Sequence, residues 1–189
     1  MAANSNAARL NMVDSQVRTN DVTDVRIQDA MLTIDRAAFA PEGKAFLAYA
    51  DAEVPYGAGR WLLKPRDVAK LLQALNPRDG ERALAIAAPY AAAVLEALGL
   101  NVTRLDDAQL KPADGGYALI VSEGAVGRTP ETWLAALAPG GRMGVIERDG
   151  PVGKALVYVR AEDGVGQRQV FDATPPVMAG FETQHGFAF

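Results

Sequence analysis

The sequence predicts an α/β protein whose sheet is parallel at its centre, and three observations carry that reading. The stretch ALAIAAPYAAAVLEAL, residues 83–98, is a short continuous apolar run that passes into alanine-rich sequence, the pattern of a buried strand feeding a helix. Further apolar runs at 117–122 and 142–146 alternate with helical segments, as parallel strands with crossover helices require. Two last runs, 154–160 and 167–171, flank Glu162-Asp163-Gly164 and read as a C-terminal antiparallel hairpin.

The elements follow in order. Residues 13–18 read as a short helix, and Thr23 or Asp24 supplies the cap of a second one with Ile27, Met31 and Ile34 on one face. Pro41 and Gly43 close that block. Residues 49–64, YADAEVPYGAGRWLLK, read as a structured loop. Pro65 suits the first position of a helix burying Val68, Leu71, Leu72 and Leu75, and Asn76-Pro77 ends it. The strand at 83–87 is expected to be central and buried, with a short strand following at 101–105. Pro130 opens a helix through Leu137, and Pro139-Gly140-Gly141 turns the chain into the strand at 142–146. With 189 residues, 49% apolar and 22% charged, the chain has material for one core. Residues 1–8 are expected to be a flexible lead. A single domain then spans 9–189, with N-terminal helices and a loop over 9–64 and an α/β core over 65–189.

Composition narrows the function. A net charge of −4 leaves no basic footprint for nucleic acid. The absence of cysteine excludes disulfides, thiolate metal sites and a cysteine nucleophile. No metal site is expected. The opening residues have no apolar signal core, and the apolar stretch near 83–100 is interrupted by Pro89 and Glu96, so a cytoplasmic protein without a membrane span is expected. His185, the one histidine, lies among Phe181, Phe187 and Phe189 and reads as packed or solvated. Gly153-Lys154-Ala155 lacks the spacing of a phosphate loop, and Glu147 is placed facing outward from its strand.

The order of motifs resembles a known family. The run DSQVRTNDVTDVRIQDAMLTIDRAAFAP, then AYADAEVPYGAG, KPRDVAKLLQAL and LAPGGRMGV, is similar to the protein-L-isoaspartate O-methyltransferases. The likeness covers most of the chain. It implies a Rossmann-like methyltransferase fold, S-adenosylmethionine as cofactor and isoaspartyl carboxylates as substrate. Its most specific part is the helix from Asp24 to Met31 followed by Arg36, Phe39 and Pro41.

Three departures fall on the parts that would work. The family ends its first strand in a glycine-rich turn before a tyrosine; this chain keeps Tyr90 but places Ala87-Ala88-Pro89 in front of it, two Cβ atoms and a residue with no N–H. The family's substrate loop carries a serine beside the transfer site, and here that position is Leu63, which cannot donate a hydrogen bond. Finally, only residues 106–116 separate the second strand from the next. That length allows a direct return but no strand with its helix, so the third strand is expected to be missing and 101–105 to become an edge.

The residues that map onto the cofactor site are therefore Ala87, Ala88, Tyr90, Asp106 and Glu123, in vestigial form. Asp106 stands at the strand end where an acidic residue would meet ribose hydroxyls, and Glu123 faces the same cleft. Tyr49, Asp51, Gly57, Gly59, Arg60 and Leu63 map onto the substrate loop, with Arg60 and Lys64 as candidate anion contacts. The resemblance implies S-adenosylmethionine; the residues lead us to expect that it is not bound. No catalytic residue is assigned. Two functions compete: a non-catalytic relative that keeps the scaffold for an unidentified ligand or protein partner, and an active carboxyl O-methyltransferase acting in protein repair. The exposed edge is also open to homodimer formation.

Overall fold

A computed structural model describes residues 2–183. Its centre is a six-stranded sheet of order β4-β3-β5-β6-β7-β8, formed by β3 (Arg82–Ile86), β4 (Asn101–Leu105), β5 (Tyr117–Val126), β6 (Leu137–Glu147), β7 (Gly153–Ala161) and β8 (Gly164–Ala173). Strands β3 to β6 are parallel; β7 and β8 add an antiparallel ribbon. Alternation along each strand divides the core into two layers. Ala83, Ala85, Leu119, Val121 and Ile146 face one layer, while Leu84, Ile86, Ile120, Met143 and Val145 face the other.

The first layer is roofed by α1 (Ala2–Met12), α2 (Val25–Thr33), α3 (Pro65–Leu75) and α4 (Pro89–Ala97). Helix α2 starts where Asp24 accepts from the Arg26 N–H, and α3 starts on Pro65 and stops at Asn76, whose φ of 48° is left-handed. Gln73 fastens the two: its Oε1 accepts from the N–H groups of Thr23 (2.6 Å) and Asp24 (2.9 Å). Arg142, in β6 just after its Gly140-Gly141 bulge, donates to the Asn76 carbonyl (2.6 Å) and to both oxygens of Glu81 (2.8 and 2.7 Å). That arginine therefore anchors the C-terminal end of α3 to the sheet.

The sheet is reduced as residue count requires. Residues 106–116 contain no strand and run directly from β4, past β3, to β5. Leu110 is buried in the second layer, and its carbonyl accepts from the Trp133 indole at 2.7 Å. Trp133 lies on α5 (Glu131–Ala135), the only α-helix on that face among the described residues. Strand β3 is buried and paired on both sides, but with the third strand gone it stands next to the edge rather than at the middle.

Several expectations need correction. Residues 2–8, set apart as a flexible lead, are helical, as alanine-rich sequence favours; Ser5 Oγ lies 3.0 Å from the Tyr49 hydroxyl. The loop at 49–64 contains an antiparallel hairpin, β1 (Val54–Gly57) and β2 (Arg60–Leu62), closed by Ala58-Gly59 with φ of 47° and 69°. Two successive left-handed residues make the turn that suits hairpin twist, and alanine in the first place conceals the signal. Pro139-Gly140-Gly141 does not turn the chain into a strand that begins at Arg142; β6 already begins at Leu137 and runs through it as a bulge, and the helix opened by Pro130 stops at Ala135. Glu147 does not simply face outward: its Oε1 accepts from the Thr129 N–H (2.9 Å) and the Tyr158 hydroxyl (2.7 Å). His185, Phe187 and Phe189 lie outside the described residues.

The hairpin turn gives a stability prediction. Ala58 is exposed and left-handed, so Ala58→Gly should stabilise the protein by ~0.5–1 kcal/mol in urea unfolding. Gly59→Ala should do the opposite, by about 2 kcal/mol, because its Cβ would stand 2.5 Å from the Ala179 Cβ.

Candidate functional site

In an open α/β sheet the ligand crevice lies at the carboxyl ends of the strands where the chain reverses direction. Here that place is between β3 and β5, since β3 leads to β4 on one side and β5 leads to β6 on the other. The turn after β3 keeps a strained shape without glycine. Ala87 has φ of 46° and Ala88 lies just before the helix, both buried. Ala88 offers no side chain to cap α4, and Pro89 has no N–H to give.

The missing cap comes from the opposite strand. The register of β5 against β6 shifts between Val121 and Ala125, and within that irregularity Glu123 turns inward and is fully buried. Its Oε1 accepts from the Ala91 N–H at 2.7 Å, its Oε2 from the Leu63 N–H at 3.0 Å, and the Tyr90 N–H adds a further bond. The carboxylate therefore satisfies the open N–H groups of α4 and sits at the positive end of its dipole.

Arg36 balances the charge. It is fully buried, donates Nε to the Ala48 carbonyl at 2.8 Å and Nη2 to the Leu63 carbonyl, and lies 4.5 Å from the Tyr90 ring centroid. Tyr90 also meets Phe39 edge-on at 5.8 Å. Burial pushes the Glu123 carboxyl above its ordinary range, against the pull of Arg36 and the backbone donors. Burial likewise lowers Arg36, opposed chiefly by Glu123, and raises the Tyr90 phenol. Arg36 Nη1 and Tyr90 Oη are buried without a hydrogen-bond partner. Sequence reasoning used Arg36 only as a family mark; the signal it passed over was a lone arginine inside an apolar helical block.

The sequence-assigned residues therefore separate into three places. Tyr90, Glu123, Leu63 and Ala88 share the filled crevice. Gly57, Arg60 and Asp106 line a cavity of 330 Å³ beside it, together with Tyr56, Ala58, Asp107 and Ala108. Tyr56, which the sequence did not single out, joins the two regions by donating its hydroxyl to the Ala87 carbonyl at 2.9 Å. Gly59 lies in the same hairpin turn and packs on Ala179. Tyr49 is elsewhere, with its hydroxyl on Asp35 (2.6 Å) and its carbonyl accepting from Gln16. Asp51 pairs with Arg66 at 3.5 Å, and Lys64 with Glu53 at 3.8 Å. Asp106 is exposed, its carboxyl raised by partial burial and opposed by Arg104 and Arg60. Among the described residues no cluster of acidic or histidine side chains is fit to hold a metal ion.

Fold and crevice together define a Rossmann-like methyltransferase scaffold. The chain matches the family model "Protein-L-isoaspartate(D-aspartate) O-methyltransferase (PCMT)" over residues 8–105, just over half its length, and the match ends on the last residue of β4. It is 32% identical to the protein-L-isoaspartate O-methyltransferase of Methylorubrum populi, over 81% of this chain and 85% of that one. It is 30% identical to that of Aromatoleum aromaticum, over 94% and 95%. The latter alignment runs to 213 positions, so that relative carries residues with no counterpart here, as a missing strand unit requires. A solved protein-L-isoaspartate O-methyltransferase superposes with a TM-score of 0.72 at 17% identity, covering 92% of this chain and 67% of that one. A Plasmodium falciparum structure described as a putative member, in complex with S-adenosyl-L-homocysteine, does so at 0.69 and 15%, covering 92% and 97%. The chain belongs to the protein-L-isoaspartate O-methyltransferase family.

The family uses S-adenosylmethionine, and the residues of this crevice do not fit it. A ligand whose amino-acid end approached the start of α4 would meet the Glu123 carboxylate on the N–H groups it needs, with the buried methyls of Ala87 and Ala88 alongside. Among the described residues no helix is long and apolar enough to cross a membrane.

Two outcomes follow. Glu123→Ala should destabilise the protein by about 3–5 kcal/mol, since it leaves helix N–H groups and the Arg36 charge buried and unmatched, whereas Asp106→Ala should change stability by less than ~0.5 kcal/mol in the same unfolding series. Asp67, buried at the start of α3, is pushed up to about 6 by burial, with Arg66 and Lys64 opposing. A carboxyl raised in the folded state binds protons more tightly there than in the unfolded chain, so stability falls as pH rises from about 4 through about 6. Asp67→Asn should remove that fall, a difference of up to about 2 kcal/mol between unfolding curves at the two ends of the window.

Proposed function

We propose that this chain is a non-catalytic member of its family, one that keeps the methyltransferase scaffold to bind a different ligand or partner. The observation that carries the reading is Glu123: an internal carboxylate, held by the N–H groups of Ala91 and Leu63, stands where a cofactor would have to enter. The other departures support it independently. Leu63 is buried with its N–H and carbonyl committed to Glu123 and Arg36, so this loop position supplies neither a hydroxyl nor a free backbone donor. Strand β4 is an edge, so among the described residues no further strand stands beyond Asp106 to cover an adenine.

Magnitudes agree with this. A micromolar cofactor site is worth about −8 kcal/mol, and losing two contributions of ~2 kcal/mol each weakens it to the millimolar range. Calorimetry with S-adenosylmethionine should therefore show no micromolar binding, and a radiolabelled methyl-transfer assay on an isoaspartyl peptide should show no turnover. Restoring glycine at Ala87 and Ala88 should not rescue either, because Glu123 remains. Turnover that disappears on Asp106→Ala would overturn the reading in favour of an active carboxyl O-methyltransferase.

A further inference from the structure

The cavity next to the filled crevice is open and holds charge of both signs: Arg60 is buried in its wall, and Asp106 on the same wall acts on it through space. Arg60 is 7% exposed and lines the 330 Å³ space. Its contacts are the Ala108 carbonyl at 3.4 Å, the Met178 sulfur at 3.8 Å and the Phe181 ring, whose centroid is 5.8 Å away. None of these carries negative charge, and among the described residues no carboxylate lies within ion-pair distance of it. Lys64, the other candidate anion contact on this loop, is paired with Glu53. A guanidinium that is desolvated and unpaired is costly to keep, and an oxyanion supplied from outside would remove that cost through charge-assisted bonds.

The rim supplies a second recognition element. Asp107 spends its Oδ1 on the N–H groups of Gln109 (2.9 Å) and Leu110 (2.7 Å), which shapes the loop. The Asp106 carboxylate accepts no hydrogen bond among the described residues and is exposed at the cavity wall. The space thus offers one buried fixed cation and one open carboxylate, in a volume at the small end of metabolite pockets.

We propose that this cavity binds a small ligand carrying an oxyanion, carboxylate or phosphate, together with a hydroxyl or ammonium donor, with the oxyanion on Arg60 and the donor on Asp106. The proposal rests on the non-catalytic reading, because it gives the cavity to a ligand other than S-adenosylmethionine. Backbone-amide NMR titrations test it with phosphoethanolamine, β-alanine, inorganic phosphate and ethanolamine. Phosphoethanolamine and β-alanine should shift the amides of residues 56–60 and 106–108 with millimolar affinity, ethanolamine should not, and the tighter of the two identifies the oxyanion. Arg60→Gln should weaken both at least ~10-fold. Asp106→Asn, at an exposed position that does not endanger the fold, should weaken phosphoethanolamine at least ~3-fold and not weaken inorganic phosphate, which loses a like charge nearby. The proposal is overturned if neither anion shifts those amides at about 50 mM, or if the Asp106 variant treats phosphoethanolamine as the parent does. S-Adenosylmethionine titrated alongside separates the two ideas: micromolar binding defeats the non-catalytic reading, while silence from it and from the anions defeats the ligand proposal alone.

Discussion

The bond between Glu123 and the first turn of α4 is the constraint on which the rest of this molecule turns. A helix that starts on Ala88 and Pro89 has no side chain to close its own N-terminus. Once a carboxylate from β5 does so, a buried negative charge needs a cation, and Arg36 provides it from the segment after α2. Arg36 in turn holds the carbonyls of Ala48 and Leu63, so the N-terminal helices, the hairpin loop and two strands converge on two opposite buried charges that act on each other through space. The mouth of the crevice between β3 and β5 is thereby occupied by the chain's own buried side chains. Such an arrangement fixes geometry more than it adds stability, since the desolvation of two charges offsets most of their attraction.

The shortened sheet is the second departure, and it is built as carefully as the first. Removing a strand and its helix would strip one face of cover and leave the return loop unsupported. Leu110 and Trp133 take over that cover, and the indole N–H secures the loop by its carbonyl. The crossover is therefore a packed element. It also places Asp106, Asp107 and Ala108 against the β1–β2 hairpin, and the cavity lies between them.

Much of this was legible from sequence, and the reasons for the misses are physical. Helix α3 and strand β4 were readable to the residue because Pro65, Asn76-Pro77 and a short polar-flanked run are strong punctuation. The lost strand was readable because chain length is a hard limit. The β1–β2 hairpin was not, since Ala58 holds a conformation that sequence rules reserve for glycine or asparagine. At the site, the bonds of Glu123 were out of reach of the sequence: its partners are backbone N–H groups, which no residue pattern names. Arg36 was missed for a related reason, because three of its interactions are with two carbonyls and a ring face.

The two tryptophans sit in different parts of this design. Trp133 is buried in the second core layer against Phe181, at 5.4 Å between ring centroids, and is tied to the crossover; Trp61 is half-buried on the hairpin that borders the cavity. The molecule therefore carries two natural optical probes with distinct environments. One emits from dry surroundings and reports whether the shortened sheet is closed; the other, nearer to water, reports events at the cavity mouth, so loosening of one region can be seen apart from the other without attaching any label.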